Sequence, residues 1–190
     1  MTFFLAGLIA FLGIHSVSIV APRWRDAQAN RMGANRWRVL YSLMPIASLA
    51  ALIYGFAVAR SDSFILYQVS GAMRIAALFL MLPVFPLLIA TYLPSRIKRV
   101  VRHPMLLAVV LWAASHLLAE GTLNDVILFS SFLCWSAADM LSVKKRKAVG
   151  LPAAAPASAT NDVTVVVGGL ALYAFMLLWA HARLIGISPL

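Results

Sequence analysis

Long apolar runs, separated by short charged connections, dominate the pattern of this chain. Crossing a hydrocarbon core takes ~20 mostly apolar residues in a helix. On that scale the runs predict six spans: Thr2 to Ala21, Val39 to Val58, Met73 to Tyr92, Pro104 to Ala119, Leu123 to Leu141 and Val163 to Ile185. None alternates with period two, which favours helices over a β-barrel. The expected fold class is all-α, a polytopic transmembrane helical bundle of about six helices, in a single domain over residues 1–190. Pro104 suits a first helical turn, where its missing N–H is not needed. Pro83 and Pro86 should kink the third span. Residues 148–162, rich in Ala and Pro with Ser and Thr after a Lys/Arg run, read as a flexible cytoplasmic linker.

Composition sharpens this picture. With 63% hydrophobic residues in 190, six spans leave no room for a soluble catalytic domain, so any chemistry belongs among the helices or at their ends. The net charge of +10 would suggest a nucleic-acid partner in a soluble chain. Here the charges lie in loops: Arg23, Arg25, Arg31, Arg36 and Arg38; then Arg96, Lys98, Arg99 and Arg102; then Lys144 to Lys147. The intervening connections carry Arg60 with Asp62, and Glu120 with Asp125. Basic loops alternating with near-neutral ones follow the positive-inside rule. The partner implied is a lipid bilayer, not nucleic acid, and both termini are expected on the non-cytoplasmic side. The first span lacks a positive segment before it and reads as an uncleaved anchor, suited to a bacterial inner membrane.

The candidate chemistry is carried by histidines. An ionisable side chain inside a span is costly unless it finds a partner, and therefore marks a candidate site. His116 has Trp112 and Glu120 on its helical face at four-residue spacing. It reads either as an axial metal ligand beside an aromatic wall or as a histidine bonded to a helix carbonyl or to Glu120. His15 follows Gly13, which would admit a close neighbour or a flat cofactor. Its alternative is an interhelical hydrogen bond shared with Ser16 or Ser18. Nominal span ends separate His15 and His116 by roughly 9 Å in depth, so His181 is a rival partner, although beside Trp179 and Arg183 it reads as an interfacial residue.

At the cytoplasmic mouth, His103 precedes Pro104 near a helix start, and Arg99, Arg102 and His103 form a candidate anion site. The competing reading is a basic patch anchoring lipid headgroups. Asp139 is expected to pair with one of these bases. Cys134, the lone cysteine, excludes an internal disulfide and reads as a small buried thiol. No closely paired carboxylates, Gly-rich phosphate loop or Ser-His-Asp pattern stands out.

The stretches His15-Ser-Val-Ser-Ile-Val-Ala-Pro-Arg-Trp-Arg25, Gly33, Arg36-Trp-Arg38 and Tyr41-Ser-Leu43 resemble the NnrU family. So do Leu80-Met-Leu-Pro83, Arg96-Ile-Lys-Arg99, Arg102-His-Pro-Met105, Leu111-Trp112 and His116-Leu-Leu118. The resemblance implies a bacterial membrane protein associated with nitrite and nitric oxide respiration, with a nitric oxide or nitrite reductase as a partner. It also implies homology to the 15-cis-ζ-carotene isomerases, which hold haem b between histidines. By that likeness His15 and His116 are the metal ligands, with Trp112 at the cofactor. The isomerases' cysteine beside the second histidine is Ala113 here, which removes a thiolate from that position. A haem-dependent polyene isomerase is the alternative activity. Arg102-His-Pro-Met105 also resembles an element of isoprenylcysteine-type methyltransferases that bind S-adenosylmethionine. The downstream Glu- and Tyr-rich motif of those enzymes is missing, so this reading ranks below haem binding.

Overall fold

The computed structural model describes residues 1–145 and 156–190, and helices account for most of them. In chain order these are α1 (Thr2–Val20), α2 (Pro22–Met32), α3 (Ala34–Arg60), α4 (Gly71–Met81), α5 (Val84–Tyr92), α6 (Arg96–Val101), α7 (Pro104–Ala119), α8 (Leu123–Lys145) and α9 (Ala159–Phe175). A π-helical turn, Met176–Ala180, joins α9 to α10 (His181–Ile185). Every predicted span is therefore helical. Five stretches are long and apolar enough to cross a membrane: Thr2–Val20, Asn35–Arg60, Gly71–Tyr92, Leu123–Val143 and Ala159–Ile185. The sixth, α7, has 16 residues. At 1.5 Å per residue it is about 24 Å long, short of the ~30 Å hydrocarbon core. Large apolar side chains such as Phe3, Ile9, Phe79 and Leu178 stand on the outside, as expected of a protein solvated by lipid.

Several boundaries differ from the sequence reading. The Arg-rich segment after the first span is not a loop but α2, which has Pro at its first turn and ends at Gly33 with φ 81°. A second short helix, α6, is capped by Ser95, whose hydroxyl accepts from Lys98 N at 3.1 Å. The third span is interrupted between α4 and α5, where Pro83 cannot supply the N–H that would continue the ladder. The linker expected over 148–162 lies outside the described residues as far as 155, and its last part is helical because α9 begins at Ala159.

The chain divides into two compact units, Met1–Leu66 with Thr122–Leu128, and Tyr67–Gly121 with Phe129–Leu190. In the first, α1 packs along α3. Their backbones approach so closely that a Cβ at Gly7 would lie 2.6 Å from Leu52 N, and one at Gly55 would lie 2.6 Å from Phe4 N. Phe4, Leu8, Leu52 and Ala59 are buried at this crossing, and Tyr41 donates across it to Ile14 O at 2.9 Å. Asn124 is buried in the same unit, donating from Nδ2 to Ala59 O at 2.6 Å.

In the second unit, α5 is the shared element: α7 packs on it, α9 packs on it, and α4 packs on α7. Val84, Leu87 and Ala108 form the core, with Leu107, Leu111 and Trp112 against it. Ser115, buried on α7, donates to Ala77 O of α4 at 2.8 Å. At the start of α9, Asp162 accepts from Arg96 N at 2.7 Å, and Asn161 donates to Pro94 O at 2.9 Å, which fixes the end from which the last helix departs.

Candidate functional site

His116 lies three residues before the end of α7. Its Nδ1 is 2.8 Å from Trp112 O. A carbonyl only accepts, so Nδ1 carries a proton in this contact. The helix-carbonyl bond foreseen as an alternative to metal ligation is thus present, and it is also the bond that fixes the tautomer of metal-bound histidines.

Aromatic rings surround this imidazole. Trp112 lies 5.1 Å away by centroid, one turn earlier on α7. Phe129 of α8 stacks on His116 at 4.5 Å with planes 28° apart. Trp112 in turn meets Phe129 and Phe132 edge-on at 5.0 and 5.4 Å. Trp112 was foreseen from its spacing; Phe129 and Phe132 belong to another helix, and no spacing relation pointed to them.

The structure also brings His181 to this cluster, with its ring 6.5 Å from that of His116 and the planes 30° apart. His181 Nδ1 donates to Ile187 O at 2.8 Å. That contact forms because the chain turns back at Gly186, whose φ of 80° is left-handed. Beside it on the same helix, the Arg183 guanidinium lies 5.9 Å over the Trp179 ring.

In the other unit, His15 Nδ1 donates to Phe11 O at 2.7 Å, and its ring lies 4.3 Å from that of Phe11. A Cβ on Gly13 would meet nothing within 4 Å, so no close approach occurs there; Gly7 and Gly55 have that role. Ser16 and Ser18 donate to carbonyls of their own helix, Leu12 O at 2.7 Å and His15 O at 3.1 Å, and not across to another helix.

At the α6–α7 turn, Arg99 and Arg102 are exposed and His103 is half-buried. Arg102 takes a left-handed φ of 64° as the C-cap of α6, and His103 is the N-cap of α7. Lys98 donates to Thr91 O at 2.6 Å, a cation at the carbonyl end of α5. Asp139 is buried in α8. Cys134 is exposed on the same helix, contrary to the buried thiol expected.

Among the described residues no three His, Cys, Asp or Glu side chains gather into a group able to hold a bare metal ion. A haem makes a smaller demand, because the porphyrin supplies the equatorial donors and the protein adds only axial ligands. The donor chemistry at His116 fits that demand: an imidazole held at Nδ1 by a helix carbonyl, beside aromatic rings.

Comparison with known proteins adds one match. The family model described as NnrU protein covers residues 3–189. No curated protein and no solved structure matches the chain significantly.

Proposed function

The chain belongs to the NnrU family, and from that membership and the geometry at His116 we propose that it is a haem b protein of the bacterial inner membrane that supports nitrite and nitric oxide respiration. The single observation that supports the cofactor reading is the His116 site itself, an imidazole oriented by its Nδ1 bond to Trp112 O beside the rings of Trp112 and Phe129. His116 would hold the haem, with the rings of Trp112 and Phe129 making its surroundings apolar. The haem, when bound, supplies redox and small-ligand chemistry at its iron. The protein's own contribution is to hold the imidazole proton at Nδ1, to orient the ring and to keep the surroundings apolar, which together tune the iron.

Family membership supports the respiratory role, exercised in the membrane beside a nitrite or nitric oxide reductase. The alternation of basic loops supports cytoplasmic placement of the α2, α6 and α8–α9 connections, with both termini on the other side. The buried methyl of Ala113, where the isomerases carry a thiol, disfavours an isomerase mechanism that exchanges a thiolate for imidazole.

The test is an absorption spectrum of the full chain purified in detergent, with the haem type identified after extraction. A Soret band and haem b in near-stoichiometric amount are expected, and His116→Ala should lower occupancy at least ~10-fold, the scale of losing a metal ligand's support. Deleting the gene should slow nitrite or nitric oxide turnover at low oxygen, and the His116→Ala gene should not restore it. A normal deletion strain, together with conversion of a 15-cis polyene by the haem-loaded protein, would assign the isomerase activity instead.

A further inference from the structure

We infer that the face of α3 turned away from α1, near the start of the helix, is a groove for one anionic phospholipid, with Arg36 at the headgroup and Val39 and Leu43 along an acyl chain. The site is independent of the haem reading and lies wholly in the first compact unit. The groove has a volume of about 370 Å³ and is lined by Asn35, Arg36, Val39, Leu40 and Leu43, all of them exposed. At about 100° per residue these five positions fall on one face of the helix, and Ile46, also exposed, continues it. The opposite face is the one engaged with α1. It carries Tyr41, which donates to Ile14 O at 2.9 Å, and the buried Ser48, Leu52 and Ala59.

The groove is polar at one end and apolar along the rest, which is the pattern of a lipid. The membrane-spanning stretch begins at Asn35, so Asn35 and Arg36 stand at headgroup level. From Arg36 to Ile46 the helix covers about 15 Å, half of the ~30 Å hydrocarbon core and so the depth of one leaflet. Charge selects the headgroup. Arg23, Arg25, Arg31, Arg36 and Arg38 gather on α2 and the start of α3 against one carboxylate, Asp26, which is already bound to Arg25 at 2.7 Å. Among the described residues Arg36 has no ion-pair partner. Its guanidinium presents a fork that matches phosphate oxygens, and the Asn35 amide adds neutral donors. The same charge disfavours a second copy of the chain as the occupant. Copies in one membrane share their orientation, so a two-fold contact through this face would set Arg36 against Arg36.

The test is native mass spectrometry of the full chain released from detergent, titrated with phosphatidylglycerol and phosphatidylcholine of the same acyl chains. One phosphatidylglycerol adduct should saturate first, with a preference of about 5-fold over phosphatidylcholine, the scale of one basic side chain at an anionic lipid surface. Arg36→Gln should bring the two lipids level, and Arg36→Lys should keep the preference because it keeps the charge. Leu43→Trp, which fills the groove, should weaken both lipids. Arg74→Gln, which removes an exposed cation from α4 in the other unit, should change nothing. All these positions are exposed, so circular dichroism of each variant should match that of the wild type. Equal affinity of the wild type for the two lipids, or a preference that survives Arg36→Gln, would overturn the inference. A dimer that Leu43→Trp dissociates would also overturn it, by making a second copy the occupant.

Discussion

Gly169, on α9, lies against Pro86 of α5, and an alanine there tests whether this crossing holds the last helix in place. The added Cβ would sit 2.4 Å from Pro86 N, 2.5 Å from its Cα and 2.6 Å from its Cδ, where ordinary contact begins at 3.4 Å. The obstacle is backbone and a closed ring, so no side chain can swing aside. The helix must withdraw by about 1 Å, a gap that forfeits a quarter to half of the dispersion energy of each contact along it. Gly168 supplies the matched control, because its Cβ would meet only Ile89 Cδ1 at 3.5 Å. Each substitution gains the ~1 kcal/mol that alanine holds over glycine within a helix. Only Gly169→Ala incurs the overpacking cost of ~1–3 kcal/mol. Gly168→Ala should therefore be neutral to stabilising by ~1 kcal/mol, with Gly169→Ala ~1–3 kcal/mol below it. Reversible unfolding in mixed micelles, followed by tryptophan fluorescence and circular dichroism, measures the difference. Indistinguishable unfolding of the two variants would refute the close crossing.

The same unfolding assay checks the buried Ser115 hydroxyl. Ser115→Ala should cost ~0.5–1.5 kcal/mol by removing the bond to Ala77 O, while Ser16→Ala, which loses only a bond within its own helix, should be near neutral. Topology is read by single cysteines in a Cys134→Ser background: at Ser61 and Ser188 an impermeant maleimide should label spheroplasts directly, and at Lys98 only after the membrane is opened. Labelling at Ser188 that also requires permeabilisation would refute the arrangement with the C-terminus outside.

The fold was legible in the sequence wherever burial in lipid is the dominant force. Continuous apolar runs give long helices whatever their detailed packing, and α7 was read to the residue because Pro104 and Glu120 bound it. The short helices were missed for the opposite reason: α2 is polar overall, and α6, although Ile97 and Val101 pack against the core, has only six residues among four cations, so hydropathy sees only loops. Their local signals were nevertheless present, with Pro22 in a first turn before Gly33, and Ser95 at an N-cap. The exposure of Cys134 was not legible, since an apolar side chain in a span is equally content against lipid or protein.

The site divides along the same line. His116 and Trp112 share a helix face and could be paired from spacing alone, whereas Phe129 reaches them only through tertiary packing of α8. His181 is more instructive, because half of its placement was available. Residues two apart on a helix point about 200° away from each other, and only those three or four apart are neighbours. Trp179 and Arg183, four apart, therefore belong together on one face, and His181 midway between them belongs on the other. The observed Arg183–Trp179 contact and the approach of the His181 ring to His116 follow this division. The other half was not available. A constant 100° per residue carries no record of the π turn at Met176–Ala180, which adds its own rotation just before the histidine. The direction of His181 is thus set jointly by a spacing rule that any sequence displays and by a backbone irregularity that only the packed helix reveals.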